Sequence, residues 1–85
     1  MFEIIKNGPA NAFLYRGVKV RFTYRIDVGA QQVGGVDIDG VMPGQEKESR
    51  FLKYEGPFNS REEALKAAQD WTAKFLDRAL DEQPS

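Results

Sequence analysis

The chain contains no cysteine and no histidine. The first absence removes disulfides, thiolate nucleophiles and cysteine zinc sites, and the second removes imidazole bases and the commonest protein metal ligand. A serine nucleophile would need a lysine or a carboxylate as its base. Only Ser49, Ser60 and Ser85 are present, and Ser60 has a structural reading given below. A surplus of charge is also missing: 12 basic residues face 13 acidic ones, for a net charge of −1. No whole-molecule field therefore draws in DNA or RNA. No apolar run approaches the roughly 20 residues that span a bilayer. The opening Met1-Phe2-Glu3-Ile4-Ile5-Lys6 lacks a signal peptide's charged head, long apolar run and small-residue cleavage site. These absences lead us to expect a soluble, cytoplasmic, non-enzymatic chain with no cofactor, no metal site and no membrane partner.

What is present is a core. The 85 residues are 41% apolar and include six Phe, three Tyr and one Trp, enough apolar surface to offset chain entropy in one small domain. A chain this short buries roughly 60–65% of its unfolded surface, so its stability margin is thin. The most regular stretch runs from Val18 to Val28. Val18, Val20, Phe22, Tyr24, Ile26 and Val28 alternate with Lys19, Arg21, Thr23, Arg25 and Asp27. Successive strand side chains point to opposite faces, so the pattern predicts one long strand with a buried face and a wet face. On the wet face Lys19, Arg21 and Arg25, with Arg16 nearby, form a basic row. It is the candidate site for a nucleic acid or an acidic partner. Tyr24 and Phe22 fall on the opposite face, so no aromatic interleaves with the charges for base stacking.

Elsewhere the pattern predicts strands over about 2–6, 12–28, 33–39 and 49–55. Gly17 marks either a bend in one strand over 12–28 or a break between two. Gly34, Gly35 and Gly40 weaken the third strand, and Gly56-Pro57 is expected to end the fourth. In that fourth strand Phe51, Lys53 and Glu55 fall on one side, with Arg50, Leu52 and Tyr54 on the other. The clearest helix covers about 60–80, with Ser60 as N-cap and Glu63 completing a capping box. Its apolar stripe includes Ala64, Leu65, Ala68, Trp71, Phe75, Leu76 and Ala79, and must cover something. The even face of the long strand is its expected partner, making Phe22, Tyr24, Leu65, Ala68, Trp71 and Phe75 the expected core or interface. The predicted fold is α+β: three to four antiparallel strands with one C-terminal helix packed on one face, and a tail over 82–85. One helix cannot fill a long sheet, and edge strands invite pairing. A protein partner or a homodimer is therefore expected ahead of nucleic acid.

Four resemblances attach to particular residues. Val36-Asp37-Ile38-Asp39-Gly40-Val41 resembles the first motif of haloacid dehalogenase-like phosphatases, which implies an aspartate nucleophile and Mg²⁺. The chain has no room for that family's doubly wound sheet and remaining motifs, so two carboxylates facing solvent are expected instead. Tyr54 to Ala64, with its Gly56-Pro57-Phe58 turn into a helix, resembles the helix opening of SPOR domains, which implies peptidoglycan binding. The order of strands, loop and Ser60-Arg61-Glu62-Glu63-Ala64-Leu65-Lys66-Ala67-Ala68 resembles HicB-type antitoxins, which implies a regulatory protein that binds a toxin partner. The whole layout resembles small uncharacterised bacterial proteins built as a sheet plus one C-terminal helix, a likeness of architecture that implies no particular activity.

Overall fold

A computed structural model describes residues 2–6, 8–27, 29 and 32–82. The alternation beginning at Val18 forms a strand over Val18–Asp27, and Val28, the last position of the predicted strand, lies outside the described residues. In chain order the elements are β1 (Glu3–Ile4), β2 (Ala12–Tyr15), β3 (Val18–Asp27), β4 (Gln32–Val41), β5 (Ser49–Phe58) and α1 (Arg61–Asp81). The strands pair antiparallel in sequence order, giving a five-stranded meander with β1 and β5 at its edges. The helix lies across one face. The α+β class with a C-terminal helix is as the sequence predicts, and the strand number is one higher than the upper expectation. The difference arises at Arg16-Gly17, where both residues take positive φ (50° and 83°). That pair of left-handed residues makes a two-residue hairpin whose twist suits antiparallel strands. The stretch 12–27 is therefore two strands and not one bent strand.

The buried face collects Val18, Val20 and Phe22 from β3, Val36 and Ile38 from β4, and Tyr15 from β2. Cross-strand register places Phe22 opposite Ile38 and Tyr24 opposite Val36. The helix lays Ala64, Ala68, Thr72 and Leu76 against this face, a spacing of four that keeps one line of the cylinder inward. The predicted stripe omitted Thr72, whose polarity hid it, and treated Trp71 and Phe75 as central. Leu65 and the Trp71–Phe75 pair instead flank the buried line on opposite sides and stay half-buried. Burial also fades along β3. Tyr24 is half-buried and Ile26 is 48% exposed, so the even face of the strand is not a core face throughout.

Two glycines explain how β4 survives the composition that weakens it. Gly35 faces the polar side, and a Cβ there would overlap the Arg25 guanidinium and come within 2.8 Å of the Tyr54 carbonyl oxygen. Gly40 faces the helix side, and a Cβ there would come within 2.6 Å of the Phe51 ring. Each gap in β4 is filled by a side chain lying across it from a neighbouring strand, a close approach that only glycine allows. The Phe51 ring reaches Gly40 because the register shifts between Ile38 and Asp39: Ile38 faces Leu52, Asp39 faces Arg50, and Phe51 is the extra residue of a bulge. The bulge turns Phe51 onto the apolar side, against the simple alternation that placed it with Lys53 and Glu55. Strand β5 also runs through Gly56-Pro57, a cis bond, to Phe58, where the sequence pattern predicts its end.

Candidate functional site

The face away from the helix carries the predicted basic row, and the row does not stand alone. Arg21 donates two hydrogen bonds to Glu48, at 3.1 and 2.6 Å. Arg50 donates to Asp39 at 2.6 Å. The Nε of Arg25 lies 3.2 Å from Asp37 Oδ1, and its Nη2 lies 3.2 Å from Glu55. Longer contacts join the pairs, Arg21 to Asp39 at 3.9 Å and Arg50 to Asp37 at 3.8 Å. The result is a lattice of three arginines and four carboxylates drawn from β3, β4, β5 and the loop before β5. Register explains it: Arg21 faces Asp39, Asp39 faces Arg50, Thr23 faces Asp37, and Asp37 faces Lys53.

Asp37 and Asp39 are therefore not the solvent-facing pair expected from the sequence. Their side chains retain 16% and 9% exposure beneath arginines that are 34–51% exposed. The chain also continues as strand to Val41, so Asp39 does not sit at a turn. The lattice holds Glu48 below the ordinary carboxylate range, chiefly through the Arg21 hydrogen bond, and holds Arg21 and Arg50 more firmly charged. Arg25 Nε and Asp37 Oδ1 are both enclosed and meet at an angle too poor for a hydrogen bond, so their contact is ionic. Among the described residues, the hydroxyl of Thr23, opposite Asp37, is enclosed without a hydrogen-bond partner. Exposed pairs of this kind contribute about 0–1 kcal/mol each. Asp39 is different, because removing its partners would leave a buried charge.

Lys19, Arg21 and Arg25 share this face. Arg16 does not. It stands in the β2–β3 hairpin and reaches across to the C-terminal end of the helix, 3.1 Å from Asp77 and 2.9 Å from Asp81. The Tyr15 hydroxyl donates to the same Asp77 carboxylate at 2.9 Å. These bonds tie the helix end to the hairpin. A phosphate on the basic face would compete with carboxylates already in place for Arg21 and Arg25. Among the described residues, no group of His, Cys, Asp and Glu has the arrangement to hold a metal ion.

The other predicted residues divide by depth. Phe22 and Ala68 are fully buried, while Tyr24, Leu65, Trp71 and Phe75 are half-buried. On the β5 side of the helix, aromatics form a seam. Trp71 and Phe75 stack at 5.0 Å with an interplanar angle of 10°, and Phe75 meets Phe51 at 5.1 Å. Phe51 was not expected here, since only the bulge brings it over. Tyr54 and Phe58, 5.6 Å apart, prolong the aromatic row on β5. The seam runs beside a ten-residue edge strand.

Among the described residues, no helix is long and apolar enough to cross a membrane. No protein-family model, curated protein or solved structure matches the chain.

Proposed function

We propose that this chain is a non-enzymatic interaction module that associates with a second copy of itself through β5. The observation that carries this reading is the half-buried aromatic seam of Phe51, Trp71 and Phe75 lying along the long edge strand. An edge presents a row of backbone donors and acceptors to another chain. A half-exposed apolar seam beside it adds surface that pairing would remove from water. The other outer edge, β1, has two residues and offers little to pair with.

The sequence of β5 supports one register. If two copies pair antiparallel about Tyr54, each Lys53 lies opposite the partner's Glu55 on the polar face, and the two Tyr54 rings meet on the helix side. A two-fold axis normal to the sheet makes each contact occur twice and sets both helices in one layer, with their Trp71–Phe75 flanks turned toward each other. Registers centred one or two residues away lose this match: about Lys53 the two lysines oppose each other, and about Leu52 Lys53 opposes Phe51. Glu55 already meets Arg25 in the lattice, so the partner's Lys53 would share that carboxylate.

A charge swap tests the reading. In sedimentation or light scattering over a concentration series, Lys53→Glu should weaken the dimer about tenfold, since two symmetric exposed pairs turn repulsive at roughly 0.2–1 kcal/mol each. Lys53→Glu combined with Glu55→Lys should restore part of it, since Glu55→Lys also removes the Arg25 contact. A wild-type chain that stays monomeric at high concentration overturns the proposal, and a double variant no tighter than the single one overturns the register.

A further inference from the structure

A second open edge lies inside the sheet. Strand β2 accompanies β3 only from Tyr15 opposite Val18 to Ala12 opposite Arg21. Asn11 then closes the ladder: its carbonyl accepts from Phe22 N–H at 3.0 Å, and its side-chain amide donates to Phe22 O at 2.7 Å. Immediately before it the chain turns away, with Ala12 N–H bonded to the Pro9 carbonyl at 3.1 Å. Strand β3 continues through Asp27. Among the described residues, Thr23–Ile26 has no strand on this side.

Two cavities flank the bare stretch, and both are lined by Ile26 and Arg61. One, of about 350 Å³, is walled by Phe13, Tyr24 and Leu65 where β2 leaves off. The other, of about 370 Å³, lies toward Val33 and the start of the helix. Ile26 is one of two large hydrophobic residues of the described chain that stand well exposed. Arg61 has a distinction of its own. Arg16, Arg21, Arg25, Arg50 and Arg78 all meet carboxylates, whereas Arg61, among the described residues, meets none. Its charge lies near enough to the Tyr24 phenol to oppose the upward push of burial on that group. The helix N-terminus itself is capped, since Ser60 Oγ accepts from Glu63 N–H and the Glu63 carboxylate accepts from Asn59 N–H. Asp27 turns an oxygen to Gly29 N–H at 3.2 Å.

The geometry points to a peptide-binding site: an extended segment of a partner protein adds to the open edge of Thr23–Ile26 in line with β2, sets an apolar side chain between Tyr24 and Ile26, and places a carboxylate on Arg61. Main-chain bonds to the edge would supply affinity, and the apolar notch with its single cation would supply selectivity. The carboxylate comes from a side chain or from a chain terminus, and the two are separable by experiment. This site is distinct from β5 and does not rest on self-association.

The test uses the full chain, isotope-labelled, with three heptapeptides of alternating valine and threonine. One ends in a free carboxylate, one is amidated, and one is amidated with an internal glutamate. The expected result is saturable shifts at the backbone amides of Thr23–Ile26 with at least one carboxylate peptide. Arg61→Gln should then weaken binding about tenfold, as loss of a charge-assisted hydrogen bond would. Which peptide binds identifies the source of the carboxylate. Several results would overturn the site: no saturation by about 1 mM peptide, shifts confined to β5, equal binding of the uncharged peptide, or indifference to Arg61→Gln. Ile26→Glu is a second variant at an exposed position. It should repel the carboxylate and abolish the shifts without unfolding the chain.

Discussion

Gly40→Ala adds one methyl group at a point where the structure has no room for it. The new Cβ would stand 2.6 Å from Cε2 and Cζ of Phe51 and 3.0 Å from the Lys19 carbonyl oxygen. The ring could rotate away, but the carbonyl belongs to the β3 ladder and is held by its neighbours. Moving the ring also pulls it off Phe75, with which it now sits at 5.1 Å. Overpacking of this sort costs about 1–3 kcal/mol, and a lost aromatic pair costs about 0.5–1.5 kcal/mol. Against this, alanine in place of glycine in a strand recovers about 0.5–1 kcal/mol of chain entropy. The balance is a net destabilisation of about 2 kcal/mol, or a fall in Tm of about 8–16 °C for a domain of this size. Urea unfolding followed through Trp71, the chain's one tryptophan, reads the change directly. Phe51→Leu should make room for the methyl group, so the double variant Gly40→Ala with Phe51→Leu should lose about 1 kcal/mol less than the two single losses added together. A single variant within 0.5 kcal/mol of wild type, or strict additivity of the pair, would refute the claim that β4 keeps glycine here to seat the ring.

Two further predictions follow from groups that the fold leaves in unusual surroundings. The Thr72 hydroxyl is buried against the sheet with no hydrogen-bond partner, so the near-isosteric Thr72→Val should raise stability by about 1 kcal/mol in the same urea assay; a loss of stability would show that the hydroxyl is satisfied. Asp77 is held below its ordinary range, chiefly by the Tyr15 hydroxyl and then by Arg16, while Tyr15 is pushed up, chiefly by Asp77 and then by burial. A lowered carboxylate contributes stability above its unfolded pKa, near 4, and loses it as pH falls through the folded value. A raised phenol contributes below its unfolded pKa, near 10, and loses its contribution as pH rises through the folded value. Urea midpoints should therefore fall at both ends of a pH 3 to 11 series, and Tyr15→Phe should flatten both arms; parallel curves for the two proteins would contradict the assignment.

Period-two alternation and helix capping made much of this fold legible. Lys19 and Val20 differ in burial as their parity says, and Ser60 and Glu63 open the helix where the capping pattern puts its start. Other features depended on contacts that no local pattern encodes. Gly34, Gly35 and Gly40 weaken β4 by propensity, yet Gly35 and Gly40 exist to admit Arg25 and Phe51 from adjacent strands. Thr72 reads as a surface residue by type and lies on the buried line because the helix turns it there. The bulge that brings Phe51 across has no signature in Arg50-Phe51-Leu52 itself. The basic row was visible as residues, but its neutralisation was not, because Asp37, Asp39, Glu48 and Glu55 become its neighbours only through sheet register.

That neutralisation bears on where recognition can occur. Opposite charges arranged within hydrogen-bond distance satisfy each other, and a ligand gains from Arg21 or Arg25 only the difference between its own contact and the one it displaces. For Arg21, the displaced contact is a two-point bond to Glu48, the geometry in which guanidinium binds carboxylate most strongly. A phosphate oxygen offers a bond of the same kind, so the exchange is nearly even, while the displaced carboxylate adds repulsion. Among the described residues Arg61 has no such bond to surrender, and a carboxylate arriving there loses only water. Among the described residues, the backbone edges of β5 and of Thr23–Ile26 are in the same position, since their outward groups give up water alone to meet another strand. The weight of a functional reading therefore falls on the edges of this sheet, and the charged face that first drew notice is the part of the surface with least to gain from a partner.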